Sequence, residues 1–135
     1  MSEKFEIFNL GVKSGATIKV KGEVSGDASS FVINLGKDNS DLALHFNPRF
    51  EDPNDGSVIV CNSKCSGCWE SEQREKKLTF SKGSTVKFTI DFKGDKFVIK
   101  MPDGAEVEFP NRHGHDLINY LSVKGGFRVT SFKYD

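Results

Sequence analysis

Residues 42–50 alternate strictly between apolar and polar side chains. Successive side chains of a β-strand point to opposite faces of a sheet, so this pattern predicts a strand with two unlike faces. The residues predicted on its apolar face are Leu42, Leu44, Phe46 and Pro48. Those predicted on its other face are Ala43, His45, Asn47 and Arg49. A row of planar hydrogen-bonding groups suits recognition of a polar ligand better than it suits a merely solvated surface.

Short alternating segments separated by turn residues continue along the whole chain. The other predicted strands are 5–10, 16–24, 29–35, 57–63, 69–75, 77–80, 85–92, 96–101, 105–109 and 126–134, and Gly11 is expected to end the first. Only residues 115–121 could form a helix, and it would be short. Short strands at this spacing predict one all-β domain, either an antiparallel sandwich or a barrel. Pro48 must then lie at an edge, at a bulge, or where its missing N–H faces away from a neighbour.

The charge balance and the cysteines exclude several classes of protein. The 19 Lys and Arg residues equal the 19 Asp and Glu residues, whereas binding to nucleic acid or to an anionic membrane surface depends on a basic excess. No apolar run approaches membrane-spanning length, and residues 1–6 lack the apolar core of a secretory signal. Three cysteines confined to residues 61–68 are not a disulfide framework, which favours synthesis in a reducing cytosol.

Two later segments repeat the polar-face pattern. Alternation places Val60 and Asn62 on one face of a predicted strand, and Glu72 and Arg74 on one face of the next. If these strands neighbour residues 42–50, their polar faces form a groove beside Trp69, the only tryptophan. Such a groove fits a sugar, because amides and carboxylates accept from hydroxyls, guanidinium groups donate to them, and an aromatic ring covers the sugar's C–H face.

The spacing of these residues is that of a known signature. The motifs His45-x-Asn47-Pro48-Arg49, Val60-x-Asn62 and Trp69-x-x-Glu72-x-Arg74 together resemble the sugar-binding signature of the galectins. Similarity to the prototype, single-domain galectins extends to residues 31–38 and 109–112 and covers essentially the whole chain. The resemblance implies a jelly-roll β-sandwich of two antiparallel sheets, with residues 1–135 forming one carbohydrate-recognition domain. It also implies a lectin for lactose- and N-acetyllactosamine-type β-galactosides, with no cofactor and no metal.

The resemblance further implies how galactose would be held. His45, Asn47 and Arg49 would bond its axial 4-hydroxyl and its ring oxygen. Trp69 would stack on the apolar face of the ring.

For the rest of the ligand, the resemblance assigns the galactose 6-hydroxyl to Asn62 and Glu72. It assigns the second sugar to Arg49 and Arg74. Asp55 stands where the family has an aspartate that helps to brace Arg49.

Pro53 stands where relatives often carry a histidine, so the loop around it is where we expect fine specificity to differ.

Two other classes of protein are weighed against a lectin. A glycosidase also presents carboxylates to a sugar, but its general acid needs a raised pKa, and the proximity of Arg74 to Glu72 favours an ionised carboxylate. A small cytosolic lipid-carrying barrel closes its cavity with an N-terminal helix pair, whereas this chain starts with a strand pattern. We therefore favour a lectin without catalysis.

Two short motifs carry possible metal ligands. Cys65-x-x-Cys68 and His113-Gly114-His115 each lack an evident further ligand, so both are expected in turns. A thioredoxin-type cysteine pair also needs a strand-to-helix context, which is missing here. We expect Cys61 in the core, and adventitious oxidation as the main chemistry of Cys65 and Cys68.

Assembly and location are expected by resemblance. Prototype galectins pair through their terminal strands, here 5–10 and 127–134, and unprotected edge strands without proline pair readily. The apolar residues that look exposed on them are Phe5, Ile7, Val129 and Phe132. We expect a homodimer that crosslinks galactose-terminated glycans of glycoproteins and glycolipids, with no nucleic acid partner and no membrane insertion. The family is found in the cytoplasm and, without a signal peptide, outside the cell.

Overall fold

In a computed structural model the chain forms twelve β-strands, and the structure describes residues 3–75 and 78–135. The strands are β1 (Glu3–Lys13), β2 (Thr17–Val24), β3 (Phe31–Asp38), β4 (Asp41–Asp52), β5 (Gly56–Cys65), β6 (Cys68–Trp69), β7 (Gln73–Glu75), β8 (Thr85–Phe92), β9 (Lys96–Lys100), β10 (Glu106–Pro110), β11 (Leu117–Gly125) and β12 (Phe127–Tyr134). Within these ranges no helix has the length and apolar character needed to span a membrane.

The strands form two antiparallel sheets. The seven-stranded sheet has the order β1-β11-β3-β4-β5-β6, with β7 also paired to β5. The five-stranded sheet has the order β10-β9-β8-β2-β12. The first and last strands of the chain, β1 and β12, are therefore edge strands, one in each sheet. The two-sheet topology confirms a sandwich rather than a closed barrel.

Aromatic side chains from both sheets meet in one core. Phe31 of β3 stacks on Phe127 of β12 with ring centroids 4.8 Å apart, and Phe46 of β4 meets Phe88 of β8 edge-on at 5.4 Å. All four residues are at most 1% exposed. Because these contacts cover one face of the seven-stranded sheet, its opposite face is left to carry polar groups.

The central strand β4 departs from strict alternation at one end. Leu44 pairs with Leu35, but Leu42 pairs with Gly36, so β4 bulges at Ala43. The bulge places Ala43 in the core cluster and keeps Leu42 buried outside it, which corrects the faces predicted for these two residues. An inserted residue reverses the facing of all that precede it.

Pro48 lies in an interior strand rather than at an edge. The β3–β4 ladder ends at the pair Ile33 and Phe46, and beyond it only an isolated bridge follows. There the Phe31 carbonyl accepts a hydrogen bond of 2.8 Å from the side-chain amide of Asn47. A side chain therefore supplies a donor in the part of the ladder where proline has no N–H.

Residues 115–121 are not helical, and most of them belong to strand β11. This strand lies between β1 and β3, and Ile118 and Leu121 are buried in the core. Pairing on both sides satisfies its backbone and overrides any weak local preference for a helix.

Other predicted boundaries also change. Strand β1 continues past Gly11 through a register shift between Phe8 and Val12, because the left-handed conformations of Asn9 and Gly11 make a bulge instead of an end. The segment predicted as 69–75 divides into β6 and β7. Residues 78–80 form no strand, and Lys77, the first residue of that prediction, lies outside the described residues.

The apolar residues of the terminal strands are less exposed than predicted. All four are half-buried and pack against the core: Phe5, Ile7, Val129 and Phe132. The aromatic side chains that are exposed on these strands are Phe8 and Tyr134, with 65% and 47% exposure.

Candidate functional site

Strand register gathers polar residues on the outer face of the seven-stranded sheet. Successive partners on β11, β3, β4 and β5 are Ser122, Asn34, His45 and Asn62. A second row joins β4, β5 and β7 through Asn47, Val60 and Arg74. The register thus brings together residues from all three motifs of the sequence signature. Opposite them, Ile59 and Cys61 point into the core, as alternation predicts.

A chain of hydrogen bonds fixes the tautomer of His45. Asn34 Nδ2 donates to Ser122 Oγ at 3.1 Å, which leaves Asn34 Oδ1 to face His45 Nδ1 at 2.7 Å. A carbonyl oxygen only accepts, so Nδ1 carries the proton of a neutral ring and Nε2 keeps its lone pair. His45 is therefore set up to accept a hydrogen bond from a hydroxyl group.

Its surroundings keep His45 neutral. Burial, and then the positive charges of Arg49 and Lys64, lower the pKa of His45 to about 4, and the opposing charge of Glu72 only partly offsets this. At neutral pH the imidazole therefore remains an acceptor at Nε2.

Arg49 is oriented by three neighbours. Its Nε donates to Asn47 Oδ1 at 2.8 Å, its Nη1 donates to Asp52 Oδ1 at 2.9 Å, and its Nη2 lies 4.0 Å from Glu72 Oε2. Asn47 is itself held through its bond to the Phe31 carbonyl. The guanidinium plane is thus fixed before any ligand arrives, which reduces the entropy lost on binding.

Arg74 joins the same network of charges. It donates from Nη1 to Asp55 at 2.9 Å and to Asp52 at 3.3 Å, and from Nε to Glu72 at 3.0 Å. The Arg49 hydrogen bond is the main cause that lowers the pKa of Asp52 to about 2, with Arg74 contributing. Asp52 holds Arg49 directly, and Asp55, which the resemblance assigned to that arginine, contacts Arg74 and donates its backbone N–H to Asp52 at 3.0 Å.

Asn62 is held by loops on both sides. Its Nδ2 donates to the Glu70 carbonyl at 3.0 Å, and its Oδ1 accepts from Ser63 N at 2.7 Å and from Arg112 Nη1 at 3.3 Å. Arg112 also donates to the Ser71 carbonyl at 2.7 Å, so it ties the loop after β10 to the loop after β6.

Trp69 forms an aromatic wall. Its side chain remains 51% exposed, which is unusual for so large an apolar surface. The ring meets His45 edge-on with centroids 4.5 Å apart, and Lys64 Nζ lies 4.9 Å from the ring centroid. An exposed, supported aromatic face is available to an apolar face of a ligand.

These groups enclose a cavity of about 490 Å³, large enough for a sugar ring. Its lining residues are His45, Arg49, Val60, Asn62, Trp69, Glu70 and Glu72. Six of these were predicted from the sequence. Asn47 and Arg74, also predicted, stand behind the lining and orient Arg49 and Glu72.

Sequence reasoning missed the supporting residues Asn34, Asp52, Arg112 and Ser122, and the lining residue Glu70. Glu70 stands two residues before Glu72, so strand alternation puts both on one face, but nothing in the sequence gave Glu70 a role. Asn34, Arg112 and Ser122 depend on contacts between distant segments, such as the 88 positions that separate Asn34 from Ser122. Asp52 lies only three residues after Arg49, but no sequence motif pointed to it.

The two motifs with possible metal ligands, Cys65-x-x-Cys68 and His113-Gly114-His115, make other contacts. Cys65 and Cys68 face each other across the turn from β5 to β6, and His113 contacts Glu70 rather than a second histidine. No group of three or more potential metal ligands occurs in the described part of the chain. Burial raises the pKa of Cys61 to about 12, so this thiol is unreactive at neutral pH.

Comparisons with known proteins identify the family to which this chain belongs. A family model described as galactoside-binding lectin matches residues 4–134. The chain is 50% identical to galectin-2 of Homo sapiens over 133 residues, which covers 98% of each chain. Against the crystal structure of chicken galectin 2 the TM-score is 0.92 at 62% identity, with 97% of this chain and 98% of that chain covered.

A second solved structure is CG-16, described as a homodimeric agglutinin from chicken liver. It matches with a TM-score of 0.94 at 41% identity over 98% of this chain and 100% of that one. The family match, the identities and the shared sandwich confirm what the sequence motifs predicted: this chain belongs to the galectins, the family of galactoside-binding lectins.

Proposed function

We propose that this galectin binds lactose- and N-acetyllactosamine-type glycans in the cavity beside Trp69, and crosslinks glycoconjugates as a dimer. The observation that carries the proposal is the pairing of an exposed indole with oriented hydrogen-bonding groups around one sugar-sized cavity. The family consists of lectins rather than enzymes.

Galactose is recognised through its axial hydroxyl. The 4-hydroxyl donates to His45 Nε2 and accepts from Arg49, while the apolar face of the ring stacks on Trp69. Each of these three groups is already oriented by neighbours in the free protein. Binding therefore requires little reorganisation of the site.

The remaining residues of the site bind the galactose 6-hydroxyl and the second sugar of the disaccharide. Asn62 and Glu72 hold the 6-hydroxyl, and the second sugar lies toward the Arg49, Arg74 and Glu72 network. Val60 forms the apolar floor beneath the ring, and it is only 1% exposed.

Selectivity against glucose follows from the same contacts. An equatorial 4-hydroxyl cannot reach the lone pair of His45, which leaves polar groups desolvated without partners. A lost hydrogen bond in such a site costs more than a lost methylene group does in an apolar pocket.

Crosslinking requires a second site, which a homodimer supplies. The edge strands β1 and β12 lie side by side, as the distance of 6.1 Å between the ring centroids of Phe5 and Phe132 indicates. The two sheets thus present adjacent open edges, and exposed edges pair with those of a second copy. The homodimeric relative CG-16 supports the same assembly for this chain.

A location in the cytoplasm and, after export, outside the cell is part of the proposal. The free thiols Cys61, Cys65 and Cys68 fit synthesis in a reducing compartment. The galactose-terminated glycans it would crosslink lie on glycoproteins and glycolipids of the cell surface.

Affinity chromatography tests the proposed function. We expect the reduced protein to be retained on immobilised lactose, to elute with free lactose, and to remain bound in an equal concentration of glucose. The eluted protein should not release the chromophore of a chromogenic β-galactoside. Passage of the folded protein through the column would refute the proposal, and steady chromophore release would favour a glycosidase.

A further inference from the structure

Glu70 lines the sugar cavity but belongs to none of the three sequence motifs. Its position follows from the turn after β6, where its backbone N–H donates to the Ser63 carbonyl at 3.1 Å. Its own carbonyl accepts from Asn62 Nδ2 at 3.0 Å, and it follows Trp69 directly in the chain. Glu70 therefore stands at the end of the cavity formed by Asn62 and Trp69.

The carboxylate of Glu70 is held in one orientation. Its Oε1 accepts from Ser63 Oγ at 2.6 Å, and His113 Nε2 lies 2.7 Å from Oε1 and 2.9 Å from Oε2. Ser63 Oγ is in turn fixed by Arg112 Nη1 at 3.0 Å. Among the described residues these are its direct partners, and the side chain is still 30% exposed.

Its charge differs in kind from that of Glu72, the other carboxylate of the lining. Glu72 accepts a direct hydrogen bond from Arg74 Nε and lies near Arg49, so its charge is largely compensated. Glu70 is bonded to a hydroxyl and an imidazole, and the Ser63 and His113 hydrogen bonds lower its pKa. The charge of Arg112 contributes to the lowered pKa of Glu70, but its guanidinium donates to neutral oxygen atoms and makes no direct ion pair with Glu70 among the described residues. Lys64 is directed at the indole of Trp69.

We propose that Glu70 is a specificity-determining residue that gives the Asn62–Trp69 end of the cavity a negative charge. Galactosides that carry an ammonium group at this end bind in preference to neutral ones, and anionic substituents are rejected. The inference rests on the proposed function, because it requires a galactoside in the cavity with its 6-position near Asn62. A charge partly open to water changes affinity about three- to tenfold.

The test compares two ligands on each variant by calorimetry at about pH 7.5. The ligands are lactose and 6′-amino-6′-deoxylactose, whose primary amine is protonated at that pH. The ratio of the two dissociation constants cancels any general loss of binding. The variants are Glu70→Gln, which keeps the shape and removes the charge, and Glu106→Gln, which removes an exposed carboxylate on β10 of the other sheet.

We expect the preference for the amine to fall about three- to tenfold in Glu70→Gln and to stay within twofold in Glu106→Gln. Raising the salt concentration tenfold should reduce the preference of the wild type but not that of Glu70→Gln. An unchanged preference in Glu70→Gln would overturn the inference. If that variant no longer binds lactose, a salt-independent preference in the wild type overturns it instead. Failure of the wild type to bind lactose would contradict the proposed function itself.

Discussion

At the scale of single residues, His45 has a different task for each ring nitrogen. Nδ1 donates to Asn34, and Nε2 is the acceptor that we propose for the ligand. The sequence predicted His45 as a ligand-binding residue, because its alternation with Asn47 and Arg49 is visible in one strand. The partner that sets the tautomer could not be predicted, because Asn34 comes from another strand and is one of several polar residues that could have faced His45.

Acidification should weaken lactose binding only at low pH. The folded pKa of His45, about 4, lies below the ordinary value of about 6.5. The unfolded chain therefore takes up the proton first, and folding stability is lost as the pH falls from about 6.5 to about 4.

In the folded protein His45 Nε2 remains an acceptor down to about pH 5, so the lactose affinity measured by calorimetry should stay constant from pH 8 to 5 and decline below pH 5. Asp52, with a pKa of about 2, remains ionised throughout and keeps Arg49 in place. A decline centred near pH 6.5 would contradict this assignment.

Removing the tautomer lock should also weaken binding. In Asn34→Ala the Nδ1 proton of His45 loses its acceptor, so the ring can turn or change tautomer. We expect lactose affinity to fall about three- to tenfold, which corresponds to the loss of one ordinary hydrogen bond. Asn39→Ala, in the exposed turn after β3, is the matched control and should bind like the wild type. Equal affinities for the two variants would argue against the lock.

At the scale of the elements, the bulge of β4 against β3 sets which faces of the sheet Leu42 and Ala43 occupy. Gly36 lies opposite this bulge. A methyl group there would lie 2.2 Å from the Asp41 carbonyl oxygen and 2.7 Å from Leu42 Cα, and backbone atoms cannot move aside independently. The predicted strand 29–35 stops before Gly36, whereas β3 continues through this residue, which allows β4 to approach β3 closely.

Gly36→Ala should therefore destabilise the fold. We expect the free energy of unfolding in urea to fall by about 1–3 kcal/mol or more, because overpacking against backbone is costly. Gly26→Ala is the matched control, since a methyl group at Gly26 meets nothing within 4 Å. Its stability should change by less than about 0.5 kcal/mol. A similar loss in both variants would show that the close approach at Gly36 is unimportant.

Prediction from sequence succeeded best for elements with a clear period of two. Strand β8 has the predicted bounds, 85–92, and its burial alternates along its whole length. Prediction failed where pairing with neighbouring strands determines the structure, as in β11. Its segment from Ile118 to Val123 is nearly all buried, so the sequence shows little alternation there.

At the scale of the whole molecule, the terminal strands are edge strands of the two sheets, as predicted. Their role in assembly stays a prediction. Their half-buried apolar residues pack inward, so the backbone edges of β1 and β12, rather than those side chains, would join two copies. Exposed Phe8, which lies 5.3 Å from Tyr120 between ring centroids, adds an apolar surface near the β1 edge.

Sedimentation equilibrium checks the assembly. We expect a mass of twice the 15.0 kDa of the chain at micromolar concentration, shifting toward the monomer on dilution. The dimer should also dissociate from a dense lactose surface more slowly than from a sparse one, since two linked sites rebind. A mass of 15.0 kDa at every concentration would contradict the proposed crosslinking but leave the sugar site untouched.

The most direct test of the central claim is a calorimetric titration of lactose into the wild type and into Trp69→Ala. The wild type should bind lactose and not glucose. The variant should retain its fold, because Trp69 is half exposed, and should bind at least about tenfold more weakly, since it loses the aromatic ring that stacks on the sugar. Equal lactose binding by both proteins, or no binding by the folded and reduced wild type, would contradict the account of this cavity as a β-galactoside site.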